Sequence, residues 1–408
     1  MGHRDEPGRA YAAYQCTRIG TARGDGHPLA APIVQSTTFA RSGVGTDPTH
    51  QYSRVSNPSV SALEKGLGEL EGAPPAVCFG TGLAAEAALF LAVLRAGDHV
   101  ACARCVYGGT TRLLQDLLPR LGITCTFIDA RDPSELAAAL RPRTRLVFLE
   151  TPSNPTLEIT DISACATIAK RHGAIVAVDN TFLTPILQNP LNLGADISVY
   201  STTKFIDGHS VALGGALVSR DERLLDRVRH IRKCTGSIQS PFNAWLTCQG
   251  VKTLALRIRE QSRSAHEIAD WLKHHPSVVT THYPSLKSDD ARRIAREQHA
   301  AGNGAVVSFE LETFDDAHSF VSALRLCTPV EHVGSVETLI THPATMTHAD
   351  VPIAERRAVG ISDGLLRLSV GLEPVGMIIE DLERAFTTIR PAPSPTPSRD
   401  QSEVSHVE

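Results

Sequence analysis

Residues Val199–Lys204 read VYSTTK, an apolar run that ends in three hydroxyl side chains and a lysine. A second apolar run, Ala174–Val178, ends in Asp179. A lysine amine can form a Schiff base with a carbonyl cofactor, and a carboxylate can keep a pyridine nitrogen protonated. Serine and threonine hydroxyls can bind a phosphate. These are the three features that pyridoxal 5′-phosphate (PLP) requires of a protein. An isolated lysine at a strand end is most often a solvated surface residue, so the rest of the chain must distinguish the two interpretations.

The length and composition of the chain are typical of a globular protein. It has 408 residues, 42% of them apolar and 21% charged, with a formal net charge of −4. This length allows two domains, and the charge provides no basic surface for nucleic acid. No apolar run reaches membrane-spanning length, and Met1–Pro7 lacks the apolar core of a secretory signal. We therefore expect a cytoplasmic protein that binds neither nucleic acid nor membranes.

The cysteines and histidines form no recognisable metal or disulfide pattern. Nine cysteines without regular spacing argue against a disulfide framework. Cys102 and Cys105 form one CxxC pair, but no second pair stands at zinc-site spacing, which favours two small residues near a strand end. His342 and His348 match no standard ligand spacing. We expect no metal.

From about Ala73 to Val218, short apolar runs alternate with helical stretches. The candidate strands are Ala76–Phe79, His99–Ala103, Thr124–Ile128, Leu146–Leu149, Ile175–Val178 and Ile197–Tyr200. The candidate helices are Leu83–Leu94, Thr110–Leu118, Pro133–Leu140 and Ile162–Arg171. This alternation predicts an α/β fold with a mainly parallel sheet, and the continuous apolar strands indicate that helices cover both of its faces.

Three further segments complete the predicted organisation. Residues 223–275 are helical throughout by apolar periodicity. After Pro276 a smaller α/β unit follows, with candidate strands Ala305–Leu311, Leu324–Cys327 and Leu365–Ser369 and a last helix near Ile378–Thr388. We therefore predict a large cofactor-binding domain over residues 56–250 and a C-terminal domain over 251–390. Residues 391–408, rich in proline and polar side chains, are predicted to be disordered.

Polar residues follow several of the predicted strands, at the sheet edge where open α/β sheets place ligands. Gly80–Ala85 reads GTGLAA and opens a helix whose N-terminus suits a phosphate, although it matches neither the dinucleotide nor the nucleoside-triphosphate pattern. Tyr107 precedes two glycines, and its ring could stack on a planar cofactor. Glu150–Pro155 reads ETPSNP and follows another predicted strand. Each feature alone is common in ordinary loops, but together they predict one site.

The chain resembles the cysteine/methionine-metabolism family of PLP-dependent enzymes, from about Pro32 to Thr388. That family includes cystathionine γ-synthase, cystathionine γ-lyase, methionine γ-lyase and the homoserine-ester sulfhydrylases. The matching stretches are Gln35–Phe39, Tyr52–Arg54, Asn57–Pro58, Tyr107–Thr110, Glu150–Pro155, Asp179–Phe182, Ser201–Lys204, Gly208–His209, Ser240–Trp245 and Leu366–Glu373. The resemblance implies the aspartate-aminotransferase-like fold, known as fold type I, with its large domain and smaller C-terminal α/β domain.

The resemblance also implies a role for each matching residue. Lys204 would bind the cofactor covalently and shuttle protons, Asp179 would pair with the pyridinium nitrogen, and Tyr107 would stack on the ring and act as an acid or base. The phosphate would be bound by the backbone of Gly82 and Leu83 and by the hydroxyls of Ser201 and Thr203. Tyr52 and Arg54 of a neighbouring subunit would bind the same phosphate. Arg367, with Asn154, would bind the substrate carboxylate. Residues 1–55, which lack a strong period, would form an extended arm that contributes to that subunit. The implied assembly is a homodimer, paired into a tetramer.

The chain departs from the family pattern at positions that bear on specificity. Gly109 stands where methionine γ-lyases carry a cysteine, so this segment resembles the cystathionine enzymes more closely. His332 replaces a serine that in the family lies against the substrate carboxylate and the catalytic lysine. His332 could contact substrate or carry a proton, or Ser335 could supply the missing hydroxyl. The aspartate that many relatives have at the position of Val211 is also absent.

These features lead to an expected reaction and to two alternatives. We expect PLP-dependent γ-elimination from an amino acid with a γ leaving group, through a vinylglycine-type intermediate, to a 2-oxo acid and ammonia. A γ-replacement transferase, similar to cystathionine γ-synthase or an O-acylhomoserine sulfhydrylase, shares the early steps and stays open. A catalytically inactive binding protein is the third possibility, and the complete set of lysine, aspartate, tyrosine and arginine argues against it.

Overall fold

The computed structural model describes residues 7–21, 24–349 and 351–389, with side chains from residue 10 onward. The strands of the larger sheet are β1 (Val77–Phe79), β2 (His99–Ala103), β3 (Thr124–Ile128), β4 (Thr144–Glu150), β5 (Ile175–Asp179), β6 (Ile197–Tyr200) and β7 (Gly215–Ser219). These seven described strands lie in the order β1-β7-β6-β5-β4-β2-β3. Pairing is parallel from β6 to β3, whereas β7 is antiparallel to both β6 and β1.

Helices cover this sheet because its strands are apolar on both faces, and β2 is buried along its whole length. The helices up to residue 273 are α1 (Pro7–Arg18), α2 (Pro58–Leu70), α3 (Gly82–Val93), α4 (Gly108–Arg112), α5 (Pro133–Ala139), α6 (Ile162–His172), α7 (Thr184–Leu187), α8 (Glu222–Thr235) and α9 (Pro241–Lys273). None of the described helices is both long enough and apolar enough to cross a membrane.

A smaller α/β unit follows α9. Its elements are β8 (Thr280–His282), α10 (Asp289–Gln298), β9 (Val306–Glu310), α11 (Phe314–Ala323), β10 (Thr328–Pro329), β11 (Leu339–Thr341), α12 (Ile353–Ala358), β12 (Leu365–Ser369) and α13 (Val375–Phe386). Among the described residues its five strands lie in the order β10-β11-β12-β9-β8. The predicted α/β class with a mostly parallel main sheet is therefore confirmed, whereas the predicted tail, 391–408, lies outside the described residues.

The N-terminal segment needs a correction, because α1 is a helix where an arm without periodicity was predicted. Its buried side includes Cys16, and the following Ile19 is buried as well. Small residues such as Ala12 and Ala13 complete the side that packs on the core. Small apolar residues give a weak periodic signal, so packing against α2 and α9 stabilises this helix more than its own sequence does.

Two predicted elements of the C-terminal half also need correction. The segment predicted as helical throughout is broken between α8 and α9 at Gly236, whose φ of +72° ends α8. The strand predicted over Leu324–Cys327 is wrong, since the strand begins at Thr328. The reason is Asp381, whose carboxylate accepts hydrogen bonds from the N–H groups of residues 325, 326 and 327 and so removes these donors from strand pairing.

The domain boundary predicted between residues 250 and 251 falls inside α9, a continuous helix of 33 residues. This helix packs against α1 and α2 and also against β8 and β9. The helix therefore belongs to the cores of both units, and the change of sequence character at Pro276 marks its end. Arg367 of β12 bonds to Asn154 in the loop after β4, so the smaller sheet faces the carboxyl edge of the larger one.

Candidate active site

A cavity of about 620 Å³ lies where the carboxyl ends of β4, β5 and β6 meet the smaller unit. The predicted site residues that line it are Gly82, Leu83, Tyr107, Asn154, Asp179, Ser201, Thr203, Lys204 and Arg367. They come from strands, loops and helix ends that are far apart in sequence, and the parallel sheet brings them to one edge.

Lys204 occupies the loop that follows β6, with its side chain half-buried in the cavity wall. Burial, and after it the charge of Arg367, lowers the pKa of the Lys204 amine to about 8. A substantial fraction of the amine is therefore neutral near physiological pH. A neutral amine is both the nucleophile and the general base that the sequence predicts here.

His332 lies directly against this lysine, with its Nδ1 3.1 Å from Lys204 Nζ. Gly334 makes this approach possible: its φ is +91°, and a Cβ there would lie 2.4 Å from Phe205 N. Burial, followed by the charges of Lys204 and Arg367, lowers the pKa of His332 to about 4. The imidazole is thus neutral, and because an ammonium can only donate, Nδ1 accepts the hydrogen bond of protonated Lys204.

Arg367 extends from β12 and is buried. Its Nη1 donates to Asn154 Oδ1 (2.7 Å) and its Nη2 to Thr341 Oγ1 (3.0 Å), with a longer bond to the backbone oxygen of His332 (3.4 Å). Burial lowers the pKa of Arg367 to about 10, which leaves the guanidinium charged at neutral pH. A fixed, charged fork of this kind suits a carboxylate.

Asp179 ends β5 on the floor of the cavity. Its Oδ1 accepts a hydrogen bond from Thr181 N (2.9 Å), and Thr181 Oγ1 in turn accepts one from Ser201 N (2.9 Å). Burial raises the pKa of Asp179, and the bonds from Thr181 oppose this rise. Asp179 is therefore held in one position by backbone groups, as the partner of a ring nitrogen must be.

The N-terminus of α3 forms another wall of the cavity. Thr81 caps this helix by accepting from Ala84 N (3.0 Å), while Gly82 and Leu83 line the cavity in its first turn. Gly82 is required, because a Cβ there would lie 2.9 Å from Ser201 Cβ. Unpaired N–H groups and the positive end of the helix dipole suit a phosphate.

Thr203 is less available than predicted. Its hydroxyl donates to Gly214 O (3.1 Å) and accepts from Gly214 N (2.9 Å). A threonine hydroxyl has one proton to donate, so this side chain must reorient before it can donate to a phosphate. Ser201 is therefore the stronger candidate of the two hydroxyls.

Tyr107 stands at the rim of the cavity, 40% exposed, and its N–H donates to Glu150 Oε2 (2.7 Å). Gly109 makes room for its ring, since a Cβ there would lie 2.5 Å from Tyr107 Cε1. A cysteine at position 109 would have to displace this ring. The glycine therefore determines where Tyr107 lies.

Four predicted residues do not line the cavity of their own chain: Tyr52, Arg54, Ser335 and His332, of which His332 lies against Lys204. Tyr52 is exposed, with the Arg54 guanidinium 5.3 Å from its ring centroid, and Arg54 donates to Lys233 O (3.0 Å). Their predicted role in a neighbouring subunit stays a prediction. Ser335 is fully buried, and its hydroxyl donates to Glu337. This hydroxyl is occupied away from the cavity, so the structure favours His332 as the residue beside the lysine.

The sequence interpretation missed Glu86, a buried carboxyl that lines the same cavity. A signal was present, because Glu86 is the one charged residue of the apolar helix α3. Glu331 and Met346 also line the cavity from the smaller unit, at positions that only the packing of that unit reveals.

The residues present fit PLP. The cavity offers an amine, a buried carboxylate and a helix N-terminus, which match the carbonyl, the ring nitrogen and the phosphate of this cofactor. Within the described residues, Arg367 Nε, His332 Nε2 and Glu86 Oε2 are buried without a hydrogen-bond partner. Buried polar atoms are normally paired, so these atoms indicate that polar ligands complete the site.

The family model for Cys/Met-metabolism PLP-dependent enzymes matches residues 18–387. The chain belongs to this family. It is a PLP-dependent enzyme of the lyase or transferase type, which confirms the predicted cofactor, family and fold class.

Similar proteins in this family have several activities. Cystathionine gamma-lyase of Bacillus subtilis (strain 168) is 40% identical over 361 residues, which cover 88% of this chain and 95% of that protein. A cystathionine beta-lyase of the same organism is 40% identical, with 89% and 93% covered. The crystal structure of cystathionine gamma synthase from Xanthomonas oryzae pv. oryzae with cystathionine superposes with a TM-score of 0.89 at 40% identity, and the match covers 92% of this chain and 98% of that one.

Proposed function

We propose that this enzyme eliminates a γ substituent from an amino acid and releases a 2-oxo acid and ammonia. The observation that carries the proposal is the 3.1 Å contact between Lys204 Nζ and His332 Nδ1 beside the Arg367 guanidinium. This arrangement puts a base with a lowered pKa next to a fixed carboxylate-binding group. An amino acid held by its α-carboxylate would thus present its Cα–H to the amine.

Each residue then has a defined task. Arg367 and Asn154 bind and orient the substrate α-carboxylate. Bound PLP supplies an electron sink for the negative charge that develops on the substrate. Lys204 would remove the proton from Cα and, once it has given that proton up and is neutral again, remove one from Cβ, while the hydroxyl of Tyr107 at the rim of the cavity would protonate the leaving group.

The cofactor would be held at both of its ends. Asp179 would bind the ring nitrogen, and the N–H groups of Gly82 and Leu83 with the Ser201 hydroxyl would bind the phosphate. Tyr52 and Arg54 of a neighbouring subunit would complete the phosphate site. On this proposal a homodimer is the smallest active form, and the dimers pair into a tetramer.

Arg54→Ala should weaken cofactor binding by about tenfold or more, because a charge-assisted hydrogen bond contributes about 1.5–3 kcal/mol. The dissociation constant of PLP, measured by equilibrium dialysis, tests this expectation. Arg41→Ala, an exposed arginine of the same segment that bonds to Gln51, is the matched control and should bind PLP normally. An unchanged dissociation constant in Arg54→Ala would argue against a phosphate contact across subunits.

γ-Replacement is the second candidate, supported by the similarity to cystathionine gamma synthase. Elimination and replacement share the proton transfers at Cα and Cβ. They differ only in whether a thiol adds to the product of these steps or water releases a 2-oxo acid.

A product screen distinguishes these reactions. Cystathionine, methionine, homocysteine and O-acylhomoserines are each supplied with and without an added thiol, and products are identified by mass spectrometry. γ-Elimination predicts a four-carbon 2-oxo acid without thiol, whereas replacement predicts a thioether only when ester and thiol are both present. Pyruvate from cystathionine would indicate β-elimination and overturn the proposal.

His332→Ala should lower kcat by about tenfold or more, because it removes the acceptor that holds the Lys204 amine in place. KM should change less, since Arg367 still binds the substrate carboxylate. His332→Asn offers an amide oxygen as an alternative acceptor and should recover part of the lost kcat. Equal loss in both variants would indicate that the imidazole itself carries a proton, and full activity in both would exclude a role in orienting the lysine.

A further inference from the structure

Glu86 is a buried carboxyl of the cavity that the proposed reaction does not use. It lies one turn into α3, is 3% exposed, and lines the cavity together with Asp179 and Glu150. Asp179 and Glu150 are register partners on β5 and β4, so three carboxyl groups share one end of the site.

The three carboxyls differ in their hydrogen bonds. Glu150 accepts one backbone N–H on each oxygen, from Tyr107 (2.7 Å) and from Asn154 (3.1 Å). Asp179 accepts from Thr181 N. Among the described residues, Glu86 Oε2 has no partner at all. A buried carboxyl oxygen without a donor favours the protonated state, or a ligand that supplies the missing contact.

The electrostatics agree with this geometry. Burial, followed by the charge of Asp179, raises the pKa of Glu86 to about 8, and the nearby Thr110 hydroxyl opposes this rise. The ionisable side chains that act on Glu86 from the sheet are Asp179, Glu150 and the thiol of Cys102. The other charged or ionisable groups around the cavity are Lys204, Tyr107, Arg112, Glu331, His332 and Arg367. Glu86 is therefore mostly protonated near neutral pH.

The helix behind α3 contributes no further charge to this end of the cavity. Helix α8 packs against α3 through an apolar side formed by Leu224, Leu225 and Val228. Its one buried charged side chain, Arg232, is paired with Glu64. The groups that determine the protonation of Glu86 are therefore those of the sheet and the cavity, and not those of α8.

We propose that Glu86 is a positioning residue for PLP, whose unpaired carboxyl shares one end of the cavity with Asp179 and, together with Asp179, holds the ring nitrogen of the bound cofactor in its protonated form over a wider pH range than Asp179 alone. The proposal rests on the assignment of Asp179 to that nitrogen and is independent of the substrate. Two carboxyl groups beside one pyridinium favour its protonated form more than a single carboxyl does, because each adds negative charge when it is ionised.

The test is a pH titration of the absorbance of bound PLP, with the dissociation constant measured in parallel. Glu86→Gln keeps the side-chain volume but cannot become negatively charged. The titration midpoint should therefore fall by about one pH unit, and PLP should bind several-fold more weakly. Glu71→Gln is the control, because Glu71 is also a buried carboxyl with a pKa raised to about 7, but it bonds to Tyr200 and Ser198 outside the cavity. This control should keep the wild-type midpoint.

Two further variants keep the outcomes distinct. Glu86→Asp should restore the wild-type midpoint in part, whereas Asp179→Asn should weaken PLP binding more than any change at position 86. A wild-type midpoint and dissociation constant in Glu86→Gln would overturn the proposal. The proposal would also be overturned if Glu86→Gln lowered only the thermal unfolding temperature, because that result would assign Glu86 a role in packing alone. Normal PLP binding in Asp179→Asn would refute the assignment of Asp179 instead.

Discussion

Lys204→Ala should lose covalent cofactor attachment and reduce turnover by about 10³-fold or more. On the proposed assignment the substitution removes the nucleophile and also the base, and a positioned base alone contributes about 10²–10⁴-fold. Attachment is measured by borohydride reduction followed by mass spectrometry of the denatured chain. The wild-type chain should keep the mass of the reduced cofactor, and the variant should not.

Two controls separate chemistry from folding. Lys287→Ala removes another largely buried lysine, which bonds to Thr156 O and Glu158 outside the cavity, and it should keep the attached cofactor. Lys204→Arg keeps a positive charge at the site but cannot form the covalent bond, so it should fail like the alanine variant. A cofactor that remains attached in Lys204→Ala would mean that another amine carries it.

The sequence allowed the residues at the carboxyl ends of β4, β5 and β6 to be predicted to lie together, because strand ends are local features. The predicted bounds of β2, β3 and β6 agree with the structure. For β2 and β6 the reason is that short, mostly apolar runs mark strands that are buried on both faces, whereas β3 is a half-buried edge strand. Parallel pairing then forces the residues after β4, β5 and β6 to one edge. Asp179 and Lys204 could be placed together for this reason alone.

The remaining parts of the site depend on packing between distant segments, which no local pattern encodes. His332 reaches Lys204 only because Gly334 lets its loop lie on the lysine backbone. The strand β7 was missed because it pairs antiparallel to β6 without an intervening helix, a connection that alternating βα patterns do not predict. The occupied hydroxyl of Thr203 likewise follows from its contact with Gly214 rather than from its own segment.

Arg367→Ala should lower kcat/KM by about 10²–10³-fold, because truncating one partner of a buried, hydrogen-bonded charge pair costs about 2–5 kcal/mol. Cofactor binding should change little, since the proposal assigns Arg367 to the substrate carboxylate and not to the cofactor. The variant also loses the contacts to Asn154 and Thr341, so Arg367→Lys, which keeps the charge but not the fork, should recover only part of the rate.

Comparing each amino-acid substrate with its α-carboxamide isolates the carboxylate contact from other effects of the substitution. The wild-type enzyme should strongly prefer the carboxylate, because the charged fork of Arg367 has no equivalent partner in a neutral amide. In Arg367→Ala this preference should nearly disappear, while general damage to the site would slow both substrates equally. Arg112 lines the same cavity and is the competing cation. If Arg367→Ala keeps the preference and Arg112→Ala loses it, the substrate binds in the opposite orientation, and Lys204 no longer faces Cα.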